Sequence, residues 1–520
     1  MVGLLKPTYA SVVSAEAAAA LAVLARDNVK NQDKVSAAGG IEPLVALLDL
    51  SSEGESAANE TADDTEAAAE STTSVGGNEH AKEEAAAALW SLSSKHNANQ
   101  IAISDAGGIE KLVAVLGLGS VRAQDQAAGA LAALALENTK NELSIAELIV
   151  SLLGSDDRQA CEKAARAISR LARAHPSNQR SLADAGGVAL LVRLLDQNAR
   201  ESAGPSPEGT IEADPVAAVQ REMASAIWSM AEGNEANQIA ISKAGGIPPL
   251  IRLLLEGHSD VHRDVAGALW ALASNADNQK SIADSGGIAP LVDLLKKEGL
   301  GAQETAAGAL SVLAQMSENR VHIASAGGIP LLIALFDSAS EEAKDQAACA
   351  LQTLVLQNAP NQLAIVNEAV AMLKTGSAIA QEHVTQLLRN LAQDPENRSA
   401  IAKAGAVPEL VRQLECGSEK AMGMAASGLA LIALKSEKDR ATVTNELVKL
   451  LSSNKEAVRQ RAAEALTDMA ADESSHPTKH RGSSNANGVP LVNLLKDGLK
   501  DGRVEAQEYA LRSLLSHDLT

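Results

Sequence analysis

Aromatic side chains are almost missing from this chain of 520 residues, which has three Trp, two Tyr and one Phe. Such rings dominate thick cores, so their scarcity argues against a conventional large globular core. Cysteine is equally sparse. Cys161, Cys349 and Cys416 are far apart and odd in number, which excludes a disulfide framework or a paired-cysteine metal site and fits a reducing compartment. Basic charge is in deficit, with 45 Lys and Arg against 66 Asp and Glu and a net charge of -21. A chain this acidic repels nucleic acid and anionic lipid. No apolar run approaches the roughly 20 residues that span a bilayer, and the Ala-rich stretch 17–25 follows Glu16 with no basic segment before it. It reads as a helix, not a targeting signal. Walker A, dinucleotide-binding, nucleophile-elbow, HExxH and kinase motifs are all missing. His258 and His262 flank Asp260 without a further ligand, and a metal site normally draws on three or four donors. Neither an enzyme, a cofactor nor a metal centre is expected, and Cys161 and Cys349, on Ala-rich stretches, read as small buried residues.

What is present is Ala, Leu, Ile and Val, which carry most of the 46 % hydrophobic content, and a repeat. The segment Asn99-Gln100-Ile101-Ala102-Ile103-Ser104-Asp105-Ala106-Gly107-Gly108-Ile109 recurs nearly unchanged from Asn237, Asn278 and Asn319, and in looser form from Asn31, Asn178 and Asn397. The Asn lies eight residues before the first Gly every time, and the spacing defines a unit of about 41 residues. Each unit predicts three helices. The Asn is expected to cap the first, and Gly-Gly to end it, because Gly tolerates the left-handed conformation. A second helix with Leu and Val on one face follows, then a longer Ala-rich third helix such as Gln303 to Met316. Units beginning at Asn141, Asn361 and Asp439 lack five residues at the turn between the first two helices and read as compact variants. Ten clear units follow, with an irregular eleventh from about Lys479. Residues 1–30 are expected to supply an N-terminal cap helix and 31–520 the stacked array. The chain starts and stops on a third helix, as a piece of a longer product would.

The unit Asn-x-x-x-Ile-x-x-Ala-Gly-Gly-Ile-x-x-Leu-Val-x-Leu-Leu, followed by an Ala-Leu-x-x-Leu helix, closely resembles the armadillo repeat over roughly residues 11–518. The resemblance implies an all-α, right-handed α-solenoid of about eleven three-helix repeats, whose third helices line a groove for extended peptides or partner helices. In style the repeats look most like the vacuolar protein 8-like and plant armadillo-only group. The importin-alpha branch resembles a Trp and Asn ladder on successive third helices. None of the matching Trp positions here is Trp, and of the matching Asn positions only Asn390 agrees, which counts against a nuclear transport receptor. The resemblance therefore implies a non-catalytic interaction scaffold or adaptor. Its alternatives are the substrate-recognition arm of a ubiquitin ligase and a vacuole-associated adaptor. The expected location is cytoplasmic, also nuclear or peripherally membrane-associated through partners, without direct insertion.

Groove candidates follow from position. Lys163, Arg166, Arg170 and Arg173 recur at spacings of 3, 4 and 3 and so form one helix face. In an acidic protein this stripe fits an acidic or phosphorylated partner segment, or else a solvated face paired with acids on neighbouring repeats. Trp90, Trp228 and Trp270 share one place in three third helices, where they either anchor a partner or pack between repeats. Two enlarged loops complete the layout: an acidic insert, 51–80, without Lys or Arg before residue 81 and expected to be disordered, and a Pro-rich insert, 196–215.

Overall fold

The computed structural model describes residues 1–5, 11–49, 67–173, 175–201, 215–296, 299–434 and 437–475. Among the described residues there are helices and turns but no strand, in accord with an all-α repeat fold. The chain divides into two compact units, Met1–Gly287 and a second that begins at Ile288. In the first unit the third helices Ser11–Ala25, Ala67–Ser93, Val121–Ala135, Arg158–Ala172, Pro215–Ala231 and Ser259–Ala273 lie each against the next. In the second, Leu300–Leu313, Glu341–Leu354, Ala378–Ala392, Glu419–Ala433 and Glu456–Ser475 do the same. The layers between them are thin. Ala85, Ala88, Leu89 and Leu92 on one third helix and Ala127, Ala130, Leu131 and Leu134 on the next are all 0 % exposed. The Ala residues let the axes approach while Leu fills the remaining space. Phe336 is buried in the second unit and stacks on His383, with ring centroids 5.7 Å apart.

The two glycines of the turn do different jobs. Gly107 and Gly327 have φ of 76° and 81°, a region that favours Gly. The second Gly answers to packing, since a Cβ on Gly108 would lie 2.6 Å from Ile103 Cγ2. Gly405-Ala406 shows that this second restriction can be relaxed, because Ala406 occupies the place and is 0 % exposed. In the compact repeats the turn has gone. Thr139–Leu153, Ala359–Thr375 and Glu437–Leu450 each run unbroken through the first and second helices.

The repeated Asn does not cap its helix. The cap stands three residues earlier, where Asn138 Oδ1 accepts from Asn141 N at 3.2 Å and Asn358 Oδ1 from Asn361 N at 3.1 Å. The repeated Asn is instead half-buried at Asn31 and Asn178 and buried in the other repeats that carry it, and its amide ties helices together. Asn141 Nδ2 donates to Leu134 O at 3.0 Å, at the end of the preceding third helix, and to Gln100 O at 3.4 Å, in the preceding first helix. Asn361 repeats this in the second unit, with Leu354 O at 3.0 Å and Arg320 O at 3.2 Å. The residue after the Asn adds a second tie, as when Gln100 Nε2 donates to Ala133 O at 2.9 Å. A carbonyl left buried and unpaired costs about 1–3 kcal/mol, so these ties fix how one repeat follows another.

Parts of both inserts are helical. Residues 67–80 of the acidic segment are helical and open the helix Ala67–Ser93, whereas 51–66 lie outside the described residues. The packed third helix already bears the nucleation cost, so each added residue extends it cheaply. Glu79 fastens the added part, since its Oε1 pairs with Lys82 at 2.8 Å and its Oε2 accepts from Ser120 N at 3.1 Å. At the second insert the helix Gly187–Glu201 continues past Asp196, and Pro215 opens the next helix. Hydrogen bonds from Arg200 hold the Asp196 carboxyl below the usual carboxylate range, with Arg252 also donating. Residues 202–214, and the irregular eleventh repeat from about Lys479, lie outside the described residues.

Candidate functional site

The candidate residues all sit on third helices or at their ends, and the structure gives them three kinds of surroundings. The first is a ladder of charge. Asp157 caps the helix Arg158–Ala172 by accepting from Gln159 N at 3.0 Å. Two turns on, Arg166 Nη2 pairs with Glu162 Oε1 at 2.7 Å and its Nε lies 3.3 Å from Glu222 Oε1 on the following third helix. Arg170 pairs with Asp125 on the preceding one. Half of the basic stripe is thus neutralised by neighbouring repeats. Lys163 lays its stem against Gly117, where a Cβ would lie 2.6 Å from Lys163 Cβ, and Arg173 is exposed. Among the described residues neither of these two has an ion-pair partner. One carboxyl beyond the stripe is strained electrostatically. Burial pushes Asp264 above the usual carboxylate range and Glu222 adds to the rise, against the pull of Arg263, Arg221 and Arg173.

The second setting is aromatic. Trp90 is 41 % exposed, and Trp228 and Trp270 are half-buried. The Trp90 and Trp228 indoles lie flat because the next third helix has no side chain in the way. A Cβ on Gly129 would come within 2.6 Å of Trp90 Cδ2, and one on Gly267 within 2.5 Å of Trp228 Cε3. These glycines were not singled out from the sequence, although Trp and Gly are separated by 39 residues both times, almost one repeat. Trp90 and Trp228 therefore pack between repeats on one face and remain open on the other.

The third setting surrounds Asn390. Its Oδ1 accepts from Arg389 Nη1 at 3.4 Å, and Arg389 Nε donates to Ser427 Oγ at 3.4 Å on the next third helix. Arg389 occupies the third-helix place that Trp90 and Trp228 occupy in the first unit. It borders an open depression of about 570 Å³ that Glu419, Lys420, Gly423, Met424, Ser427 and Arg461 also line.

Other chemistry-bearing groups are engaged elsewhere. His80, Glu83 and Glu84 each offer an atom within 4.8 Å of the others, but Arg122 Nε already stands 2.8 Å from Glu83 Oε1 and supplies the positive charge there. His258 Nδ1 accepts from Asp260 N at 3.4 Å, while His262 is buried on the same helix. The Cys161 thiol is buried and donates to Ser155 O at 3.1 Å. Burial raises its pKa, with Asp157 adding to the rise, which suppresses the reactive thiolate. Cys349, expected to be buried, is exposed, because it lies on the outer side of its helix, opposite the buried Ala347, Ala350 and Leu351.

The armadillo/beta-catenin-like repeat family matches residues 234–274, 275–315 and 316–355. No curated protein matches the chain. Among solved structures, an engineered protein from the Northeast Structural Genomics Consortium is 28 % identical, with a TM-score of 0.46, and the alignment covers 90 % of this chain and 97 % of that one. Another engineered protein from the same consortium is 32 % identical at a TM-score of 0.38, over 47 % of this chain and 96 % of its own. A designed armadillo repeat protein is 22 % identical at a TM-score of 0.36, over 62 % and 99 %. Residues 234–355 are armadillo repeats. The fold of that family implies a protein-interaction scaffold.

Proposed function

We infer that this chain is a non-catalytic adaptor whose third helices in the first unit dock a segment of a partner protein. The observation that carries this is the exposure of Trp90, 41 %, on a surface where Gly129 leaves the indole flat and rigid. Trp228 over Gly267 repeats the arrangement. A large apolar face held without side-chain freedom is what interface anchors require, since little entropy is lost on contact. Lys163 and Arg173 then meet carboxylates of the segment, and Arg166 and Arg170 exchange Glu222 and Asp125 for partner carboxylates at small net cost. Overall negative charge disfavours nucleic acid as the partner.

A displayed library of 12-residue peptides, selected on the whole chain, tests this. The selected peptides should bind Trp90→Ala/Trp228→Ala at least roughly 30-fold more weakly, the factor that a loss of about 2 kcal/mol implies. Unchanged affinity would overturn the assignment.

A further inference from the structure

The second unit carries a site of different chemistry. The helix Glu419–Ala433 presents Lys420, Gly423, Met424 and Ser427 on one face of the open depression. Arg389 approaches from the preceding third helix and Arg461 from the following one. Arg389 Nε is 3.4 Å from Ser427 Oγ, and the Arg461 guanidinium carbon would be 3.8 Å from a Cβ on Gly423. Gly423 and Ser427 are one turn apart, a rise of about 6 Å, so two guanidinium groups flank the same turn. Their like charges repel, and the acids present answer only part of that. Arg461 pairs with Glu464 at 2.8 Å and Lys420 with Glu382 at 3.1 Å. Arg389 instead makes hydrogen bonds to the neutral Ser427 and Asn390, and among the described residues no carboxylate pairs with it.

We propose that this depression binds a phosphorylated side chain on a partner segment, with Arg389 and Arg461 gripping the phosphate from opposite flanks. The charge is complementary: Arg389, Lys420 and Arg461 line the depression with Glu419, and Glu382 and Glu464, which pair with Lys420 and Arg461, leave Arg389 without a carboxylate, in a chain of net charge -21. The number of acceptors decides between anions. A carboxylate has two oxygens, which a single guanidinium fork satisfies, whereas a phosphate monoester has three strong acceptors and carries close to two charges, so it engages both forks at once. Gly423 leaves the space between the forks open, and Ser427 and Asn390 hold Arg389 in place. The segment is a peptide, as proposed for the first unit, so this site rests on the third helices being docking surfaces.

The test uses the whole chain and two fluorescent degenerate 13-residue libraries, one with phosphoserine and one with serine at the centre, followed by anisotropy. The phosphoserine library should bind at least roughly tenfold more tightly, about 1.4 kcal/mol, and inorganic phosphate should compete. Arg389→Gln/Arg461→Gln should abolish the preference. Gly423→Asp, which places a carboxylate between the forks where there is room for it, should abolish it too without removing any packed side chain. Arg166→Gln/Arg170→Gln should keep the preference. Equal binding of the two libraries would overturn the proposal. So would a preference that survives both second-unit variants, or one lost only with Arg166 and Arg170. Trp90→Ala/Trp228→Ala in the same assay reports separately on the first unit, so failure of one site is not mistaken for failure of the other.

Discussion

The two units share a frame and differ in what the frame displays. Asn141 and Asn361 make the same pair of buried hydrogen bonds, to the end of the preceding third helix and to the preceding first helix. On the open face, the place that holds an indole against Gly129 or Gly267 in the first unit holds the Arg389 guanidinium beside Ser427 in the second. Stacking is thus set by buried polar ties that recur in both units, while the facing pair on the surface is free to become aromatic on glycine or cationic on serine. One scaffold carries two recognition chemistries without altering its packing.

The largest expected effect tests the shared half of that comparison. Asn141→Ala and Asn361→Ala each leave one buried last-turn carbonyl, Leu134 O or Leu354 O, unpaired and should each cost about 1–3 kcal/mol, measured by urea unfolding. A loss in one variant and none in the other would break the claim of a common frame. The facing pairs come next. Gly267→Val drives a side chain into the Trp228 indole and should cost about 1–2 kcal/mol and shift the tryptophan emission. Ser427→Val, which loses only a 3.4 Å hydrogen bond, should cost less than about 1 kcal/mol.

Acidity separates Asp264 and Glu382 in sign. The raised pKa of Asp264 means that its stabilising contribution is complete below the ordinary carboxylate range and is lost as pH rises through the raised value. Asp264→Asn should therefore raise the unfolding temperature at neutral pH and leave it nearly unchanged near about pH 3. Glu382 is opposite. The Ser418 hydroxyl, followed by Lys420, lowers its pKa, so its contribution is present above the ordinary range and fades as pH falls through the lowered value. Glu382→Gln should lower the unfolding temperature at neutral pH, and the gap should close on acidification. The smallest effect is that of Arg170→Gln, which removes a partly exposed pair with Asp125 and should change stability by less than about 1 kcal/mol.

The sequence made the frame legible because the frame repeats. A Gly at a fixed distance from Asn marks a left-handed turn wherever it recurs, and Gly107 and Gly327 adopt it. The role of the Asn was not legible. Capping and burial both favour Asn, and only the position of the true cap at Asn138 or Asn358 separates them. The basic stripe was legible as a pattern on one helix, but its neutralisation depends on Asp125 and Glu222, which come from other repeats. Asn390 stood out as a solitary ladder match, whereas its partner Arg389 acquires meaning only once Ser427 and Arg461 are seen beside it.

The chain has three tryptophans, all on third helices, so its tryptophan emission reports on those helices alone. Acrylamide quenching, with and without a saturating selected peptide, therefore tests the docking surface most directly. Accessible indoles in the free chain and clear protection in the complex are expected. An unchanged quenching constant at saturation would contradict the assignment of these helices as the site where partners bind.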